Sequence, residues 1–415
     1  MVGTRGRGRT RTALRTHPRA EKTVAVMTSA SEPLAIASDV HLVQHGSETS
    51  ARRLGKLLEA HAGHEVVLAG DIFNLSLDAP SRDPAESVQS IVAQYPELVG
   101  ALKQHLTHGH ALTLIGGNHD AGVVTRGTRE RLLALCGVGA GARLAIEPWF
   151  IRRGDVHIEH GHVYDPDNAP AHPLAAWSPE TEPLGISLTR RFLSPHDAFT
   201  FAHAHHTTPL QGLVHAFKTF RGRAPLMVLH YFATASRLAA EAAVPERMGA
   251  EKARGAAAVP EFAERIQVSQ KLVQDLLAAL PRPTHEDFNE TFHRLYFDRV
   301  VATLGMAGGA TRVLLGGAVG GVVGGAVALS GALYLHRSVK KGVDRYSSLP
   351  VKRLYAGADL VRQVTGAKLV IFGHTHCEDE AEGYVNSASF TYTGRRGAPY
   401  LHVSGGGRVE RRELG

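Results

Sequence analysis

Short apolar runs that end in polar tips recur along this chain. Residues 34–38 are apolar and break at Asp39-Val40-His41, and the stretch that follows places Leu54, Leu57 and Leu58 on one helical face. Glu65–Ala69 is the next run, tipped by Gly70-Asp71. A helical stretch over 86–105 leads to the run 111–115 and the tip Gly117-Asn118-His119-Asp120, where glycine lets the backbone turn sharply. Val156–Glu159 alternates as a strand and ends at His160-Gly161-His162, and the run 368–371 ends at Gly373-His374-Thr375-His376. Helices alternate with these strands and the polar tip always follows the strand. That order predicts an α/β fold with its ligands at the carboxyl ends of a sheet.

Roughly two hundred residues separate the fourth tip from the fifth, far more than an ordinary connection needs. They predict an inserted helical cap, with helices over 210–220, 226–242 and 262–280, the last carrying a Val268, Leu272, Leu276, Leu277 stripe. The expected organisation is a disordered basic tail over 1–33, a catalytic core over 34–165 and 351–415, and the insertion over 166–350. After His376, strands at 383–386, 390–393 and 400–403 are expected to form a second sheet, followed by a charged tail at 408–415. Within the insertion, 313–335 carries no charge and is long enough to cross a bilayer. Gly316, Gly320 and Gly324 recur every fourth residue, as do Gly317, Gly321 and Gly325, which gives a helix face nearly bare of side chains. Arg337, Lys340 and Lys341 follow as a basic flank. A single crossing would put His160 and His374 on opposite sides of the membrane. The run therefore predicts a hairpin that returns to the same side, a helix in the interface, or a helix packed within protein.

Composition narrows the partners. A chain of 415 residues with 43% hydrophobic and 20% charged residues is globular, and its net charge of +7 suits anionic partners such as nucleic acid, phospholipid headgroups or a phosphorylated substrate. With only 6% aromatic residues and no evident aromatic and basic stacking surface, nucleic acid is disfavoured. Cys136 and Cys377 give no disulfide framework, which fits a reducing cytosol. Arg5, Arg7, Arg9, Arg11, Arg15 and Arg19 precede any acidic residue and no apolar stretch follows them, so the beginning reads as a solvated tail, with Met27 an alternative start.

The tips offer imidazole, carboxylate and amide oxygen together, a donor set suited to divalent first-row metals. Two such ions about 3.5–4 Å apart can clamp the attacking and leaving oxygens of a phosphoryl transfer. Asp71 is the candidate bridging carboxylate. Asp39, His41 and His376 can serve one metal, and Asn118, His160 and His374 the other. His119 is expected to face the substrate, to stabilise developing charge or protonate the leaving oxygen, with Asp120 fixing its tautomer and His162 supporting the ligands from behind. Arg126, Arg129, Arg131, Arg190, Arg191, Arg221 and Arg223 are either phosphate contacts or solvated faces. His203, His205, His206 and His215 are either a second metal site or surface histidines.

The five tips together, in order and approximate spacing, resemble the calcineurin-like metallophosphoesterase superfamily. The resemblance implies a four-layer α/β/β/α sandwich, here with a large inserted cap, and a dinuclear site preferring manganese, iron or zinc that hydrolyses phosphoesters through a metal-bound hydroxide. Ser38-Asp39-Val40-His41-Leu42, Gly70-Asp71-Ile72-Phe73 and the membrane-like segment are also similar to bacterial UDP-2,3-diacylglucosamine pyrophosphatases. The expected protein is a cytoplasmic metallophosphoesterase in peripheral or hairpin contact with a membrane through 313–335, acting on a phosphomonoester, phosphodiester or lipid-linked pyrophosphate. The alternatives are a soluble phosphodiesterase or nuclease, and a non-catalytic scaffold of the same fold.

Overall fold

The computed structural model describes residues 23–24, 32–78, 82–196, 209–340, 343–344, 346, 348–391, 397–405 and 408–415. Along the chain, strands Thr23–Val24 (β1) and Leu34–Ala37 (β2) precede helix Glu48–Ala60 (α1), and Glu65–Ala69 (β3) precedes Pro84–Ala93 (α2) and Pro96–Thr107 (α3). Leu112–Ile115 (β4) leads to Thr128–Cys136 (α4), and Leu144–Glu147 (β5), Phe150–Arg153 (β6) and Val156–Glu159 (β7) follow. A helical stretch comes next: Leu184–Leu188 (α5), Pro209–Phe220 (α6), Ala224–Ala242 (α7), Gly249–Arg265 (α8), Gln270–Ala279 (α9), Phe288–Arg294 (α10), Phe297–Leu315 (α11) and Gly317–Ser338 (α12). Val339–Lys340 (β8) and Val343–Asp344 (β9) pair with each other ahead of Leu349–Thr365 (α13). The chain closes with Leu369–Phe372 (β10), Glu380–Ala381 (β11), Tyr384–Asn386 (β12), Ala398–Val403 (β13) and Val409–Leu414 (β14).

Two sheets face each other. The first runs β1-β14-β13-β2-β3-β4-β5, with β2 to β5 parallel, and the second runs β11-β12-β10-β7-β6 with β7, β10 and β12 parallel at its centre. The period of two along each strand sorts the side chains. Ala35, Ala37, Val66 and Leu68 point to an outer layer of α1 to α4, where Leu57, Val88, Leu98 and Leu133 are buried. Leu34, Ile36, Val67 and Ala69 point the other way, against Ile151, Val156, Ile158 and Leu369 of the second sheet. Phe262, Val273, Leu276 and Leu354 of α8, α9 and α13 cover the far face of that sheet. The result is an α/β/β/α sandwich. Part of the stretch expected to be an insertion, α8 and α9, thus builds the fourth layer.

Other expectations need correction. The helix expected over 86–105 is two, because Pro96 begins α3 and cannot continue α2. The helix expected over 262–280 breaks between Arg265 and Gln270, where Gln267 takes a φ of 59° and the Ser269 side chain accepts a hydrogen bond from the Leu272 amide to start α9. Phe390 and Thr391 are not in a strand, and 392–396 lie outside the described residues. The residues expected as a second-sheet strand near 400–403 instead join the first sheet, antiparallel to β2. The expected charged tail is β14: Val409 and Arg411 turn inward while their neighbours face out. The expected disordered start contributes β1, paired with β14 at Thr23↔Glu410, and the rest of its basic run lies outside the described residues, as do His203, His205 and His206.

The glycine-rich run is a helical hairpin. α11 and α12 lie antiparallel about Gly316, and a Cβ on Gly309 would strike the Gly324 carbonyl, as would one on Gly324 the Gly309 carbonyl. Small residues therefore fill the seam and large ones face outward: Leu314 is 82% and Val319 80% exposed. At the base, the Tyr334 hydroxyl donates to Asp298, and Arg299 donates to the Ser338 carbonyl at 3.4 Å. α12 is long and apolar enough to cross a bilayer.

Candidate metal centre

The five polar tips converge at the carboxyl ends of β2, β3, β4, β7 and β10. Asp39, His41, Asp71, His374 and His376 all adopt positive φ, between 50° and 69°. Such backbone costs about 1 kcal/mol or more per residue and persists where surrounding structure enforces it. Here the tips enforce one another: the Asp39 amide donates to the Gly70 carbonyl at 3.0 Å, that of His41 to Asp71 at 2.9 Å, and that of Gly373 to His160 at 3.0 Å. Gly117 and Gly373 are required by close approach, since a Cβ on either would collide with Asp71 Oδ1 or with Ser38 and Asp39.

One set of donors gathers around Asp39. Nε2 of His376 lies 3.0 Å from Asp39 Oδ1, and Nε2 of His41 lies 3.9 Å from the same oxygen and 3.2 Å from Nε2 of His376. A second set gathers around His160, whose Nε2 is 3.2 Å from Asp71 Oδ2 and 3.1 Å from Asn118 Oδ1. His160 Nδ1 is 3.0 Å from the Ala69 carbonyl, which assigns the proton to that nitrogen and leaves Nε2 to face the carboxylate. Asp71 Oδ2 is also 4.0 Å from His41 Nε2, so this carboxylate stands between the two sets. The His374 ring sits 5.3 Å from that of His160, with its Nε2 on Asp165 Oδ2 at 3.1 Å, which leaves Nδ1 as the candidate ligand atom. Carboxylates and imidazole lone pairs aimed at common points fit divalent cations. Among the described residues, Asp39, His41 and His376 form one group whose ligand atoms all lie within 4.8 Å of each other, and Asp39, Asp71 and His160 another.

The charges agree with that fit. Burial opposes ionisation of Asp39, yet the His376 and His160 rings bring its pKa down to about 2. Burial likewise opposes a charged His160, and Asp71 and Asp39 outweigh it to raise this ring to about 9. Burial pushes His41 down to about 3 and also lowers His119.

His119 and Asp120 depart from expectation. Asp120 does not hold the His119 ring: its carboxylate accepts from the amides of Gly117 at 2.7 Å, Ile72 at 2.7 Å, Phe73 at 3.1 Å and Asp71 at 3.2 Å. It ties the second tip to the third, a backbone task that only an acceptor facing several N–H groups can perform. Burial and the neighbouring Asp71 push its pKa up to about 7 against those donors. The His119 Nδ1 instead lies 2.9 Å from Ser76 Oγ and 3.2 Å from Asn74 Oδ1, while its amide donates to Asp71 Oδ1 at 2.8 Å. His162 is buried with its ring 5.3 Å from that of His160 and 6.5 Å from that of His374.

Sequence reasoning missed Asp165, whose Oδ1 accepts from Arg353 at 2.8 Å while Oδ2 holds His374. Asp167 extends this network, bound by Arg294 at 2.6 Å and Arg353 at 3.3 Å, and Asn168 approaches Asn118 at 3.4 Å. The acid-rich run immediately after His162 was the available signal. Among the arginines, Arg129 bonds the carbonyls of Leu144, Ala140 and Ala142, and Arg131 pairs with Asp83 and Glu86. Arg190 comes nearer the centre, donating to the carbonyl of Ser76 at 3.2 Å.

Residues 32–228 match the family model for calcineurin-like phosphoesterases. No curated protein matches the chain.

Proposed function

The chain carries a calcineurin-like phosphoesterase domain and is a metal-dependent phosphoric ester hydrolase, and from that premise we propose that its substrate is a membrane lipid bearing a phosphate ester or pyrophosphate, of the kind represented by UDP-2,3-diacylglucosamine. The observation that carries this reading is the inverted hairpin, with glycine in its seam and leucine and valine on its surface. A water-soluble helix pair gains from the opposite arrangement, whereas lipid offers no penalty to outward leucine and rewards close backbone packing. The hairpin's root also connects to the metal centre. Arg294, at the end of α10 and just before α11, bonds Asp167, and Arg353 joins Asp167 to the Asp165 that holds His374.

In this reading Asp39, His41 and His376 would hold one cation and Asn118, His160 and His374 the other, with Asp71 between them. Manganese is the expected ion, with iron or zinc as alternatives. Bound there, the pair of cations would neutralise the phosphoryl oxygens and acidify a water. His119 works from the chain's own side. Its Nδ1–H is taken by Asn74 and Ser76, so Nε2 is the atom that exchanges protons with the substrate. Phosphoryl charge favours the protonated ring, which then delivers that proton to the leaving oxygen. The hairpin would seat the enzyme at the cytoplasmic face, with both ends of the hairpin on the catalytic side.

Hydrolysis by the metal-loaded protein, compared across the nucleotide-pyrophosphate lipid and soluble phosphodiesters, with and without detergent micelles, tests this reading. Turnover of the lipid that rises with micelles is expected. Cleavage of soluble esters alone, indifferent to micelles, would refute the lipid substrate.

A further inference from the structure

We infer that His61, His64 and His402 form a further metal site, for one zinc or another divalent cation that prefers imidazole, remote from the phosphoesterase centre. His61 ends α1, His64 immediately precedes β3, and His402 lies on β13 opposite Ala35 of β2. These positions are at the amino ends of the parallel strands, whereas the catalytic tips are at the carboxyl ends. His64 and Asp71 are separated by the length of β3, a span on the order of 20 Å at about 3.3 Å per residue.

Three features distinguish the cluster from incidental surface histidines. One ring nitrogen from each residue lies within 4.8 Å of those of the other two. Nε2 of His64 and Nε2 of His402 are 3.4 Å apart. Two nitrogens bound about 2.0–2.1 Å from one tetrahedral zinc lie roughly 3.3 Å apart, which is the same spacing. Finally, His61 is only 4% exposed, yet among the described residues neither of its ring nitrogens has a hydrogen-bond partner. A buried imidazole with no partner is costly, and a cation accepting its lone pair removes that cost.

The surroundings permit a cation. Arg412 opposes positive charge on His61 and His402, and Glu410, which faces His402 across the β13–β14 pair, holds it at 2.7 Å. His105 does not compete for the ion, because its two nitrogens face the carbonyls of Leu58 and Ala111. Three imidazoles and one open position suit zinc, copper or nickel better than manganese or magnesium. The ion would fasten the α1–β3 connection to β13, joining an early part of the chain to a late one.

The test is metal analysis of the full-length wild type, His402→Gln and His64→Gln after zinc loading and dialysis, with circular dichroism to verify folding. His64 is partly exposed, so its variant folds even if that at the more buried His402 does not. The expected result is one fewer equivalent of zinc in each variant, a smaller rise in Tm on zinc addition, and phosphoester turnover equal to wild type. Equal zinc content and equal zinc-dependent Tm shifts in all three proteins would overturn the site. Because the readout is a difference of one equivalent, it stands apart from whether the catalytic centre binds two ions, one or none.

Discussion

Oδ2 of Asp165 lies 3.1 Å from Nε2 of His374, and Oδ1 of the same carboxylate accepts from Arg353 at 2.8 Å. The carboxylate thereby fixes which nitrogen of His374 carries the proton, and a guanidinium fixes the carboxylate. Asp165→Asn keeps the shape but weakens the acceptor and frees the ring to choose the other tautomer. Metal affinity is expected to fall about 10- to 100-fold, as for other partners that orient a ligating histidine. Titration of the metal-free variant with manganese checks this, and an unchanged affinity would deny Asp165 the positioning role.

His119 is assigned to the leaving group, so its loss should depend on what leaves. His119→Ala is expected to lower kcat about 10²- to 10⁴-fold on an alkyl phosphoester. The loss should be far smaller on a nitrophenyl ester, whose oxygen leaves without a proton. Metal content should match the wild type. Equal losses on both substrates would remove His119 as the proton donor.

Glu251 on α8 is 1% exposed, and burial pushes its pKa up to about 7. In the unfolded chain it ionises near 4.5, so between that pH and about 7 the folded state holds a proton the unfolded state has lost. Its contribution is fully present below pH 4.5 and is lost as pH rises through 7. Glu251→Gln removes this loss and should stabilise the protein at pH 8 by up to about 3 kcal/mol, with little gain at pH 4.5. Thermal unfolding of both proteins across that pH range checks the sign. A variant less stable than wild type at pH 8 would contradict it.

Val319 and Val322 are exposed on α12, 80% and 76% respectively. Replacing both with lysine should leave the hairpin seam intact and sharply reduce flotation with phospholipid vesicles, since each charge placed in hydrocarbon costs about 2.5–3.5 kcal/mol. Turnover of a soluble phosphoester should be unchanged. Undiminished flotation would exclude the hairpin as the membrane contact.

The candidate centre was legible in the sequence because each proposed ligand sits where an apolar strand meets a polar tip, and that pattern is local. Asp39, His41, Asp71, Asn118, His160, His374 and His376 all arrive at the same end of the two sheets for this reason. What was not legible depends on partners distant in the chain. Asp120 follows His119 in sequence, but four amides from two tips claim its carboxylate. The charged sequence of β14 resembles a tail until β13 supplies a partner strand. The α8–α9 break is hidden in the sequence because Ile266, Val268 and Leu272 keep an apolar stripe running across it against the same sheet. The small-residue repeat disclosed a close helix contact, and the structure shows that the contact is between α11 and α12.

The most direct test of the central claim is turnover of a chromogenic phosphodiester by the manganese-reconstituted wild type and by Asp71→Asn, with folding checked by circular dichroism. Asp71 stands between the two donor sets, 3.2 Å from His160 and 4.0 Å from His41. The account predicts that the folded variant loses activity by about 10³-fold or more, because the cations that would stabilise transition-state charge lose the carboxylate they would share. A folded Asp71→Asn protein with wild-type turnover would contradict it.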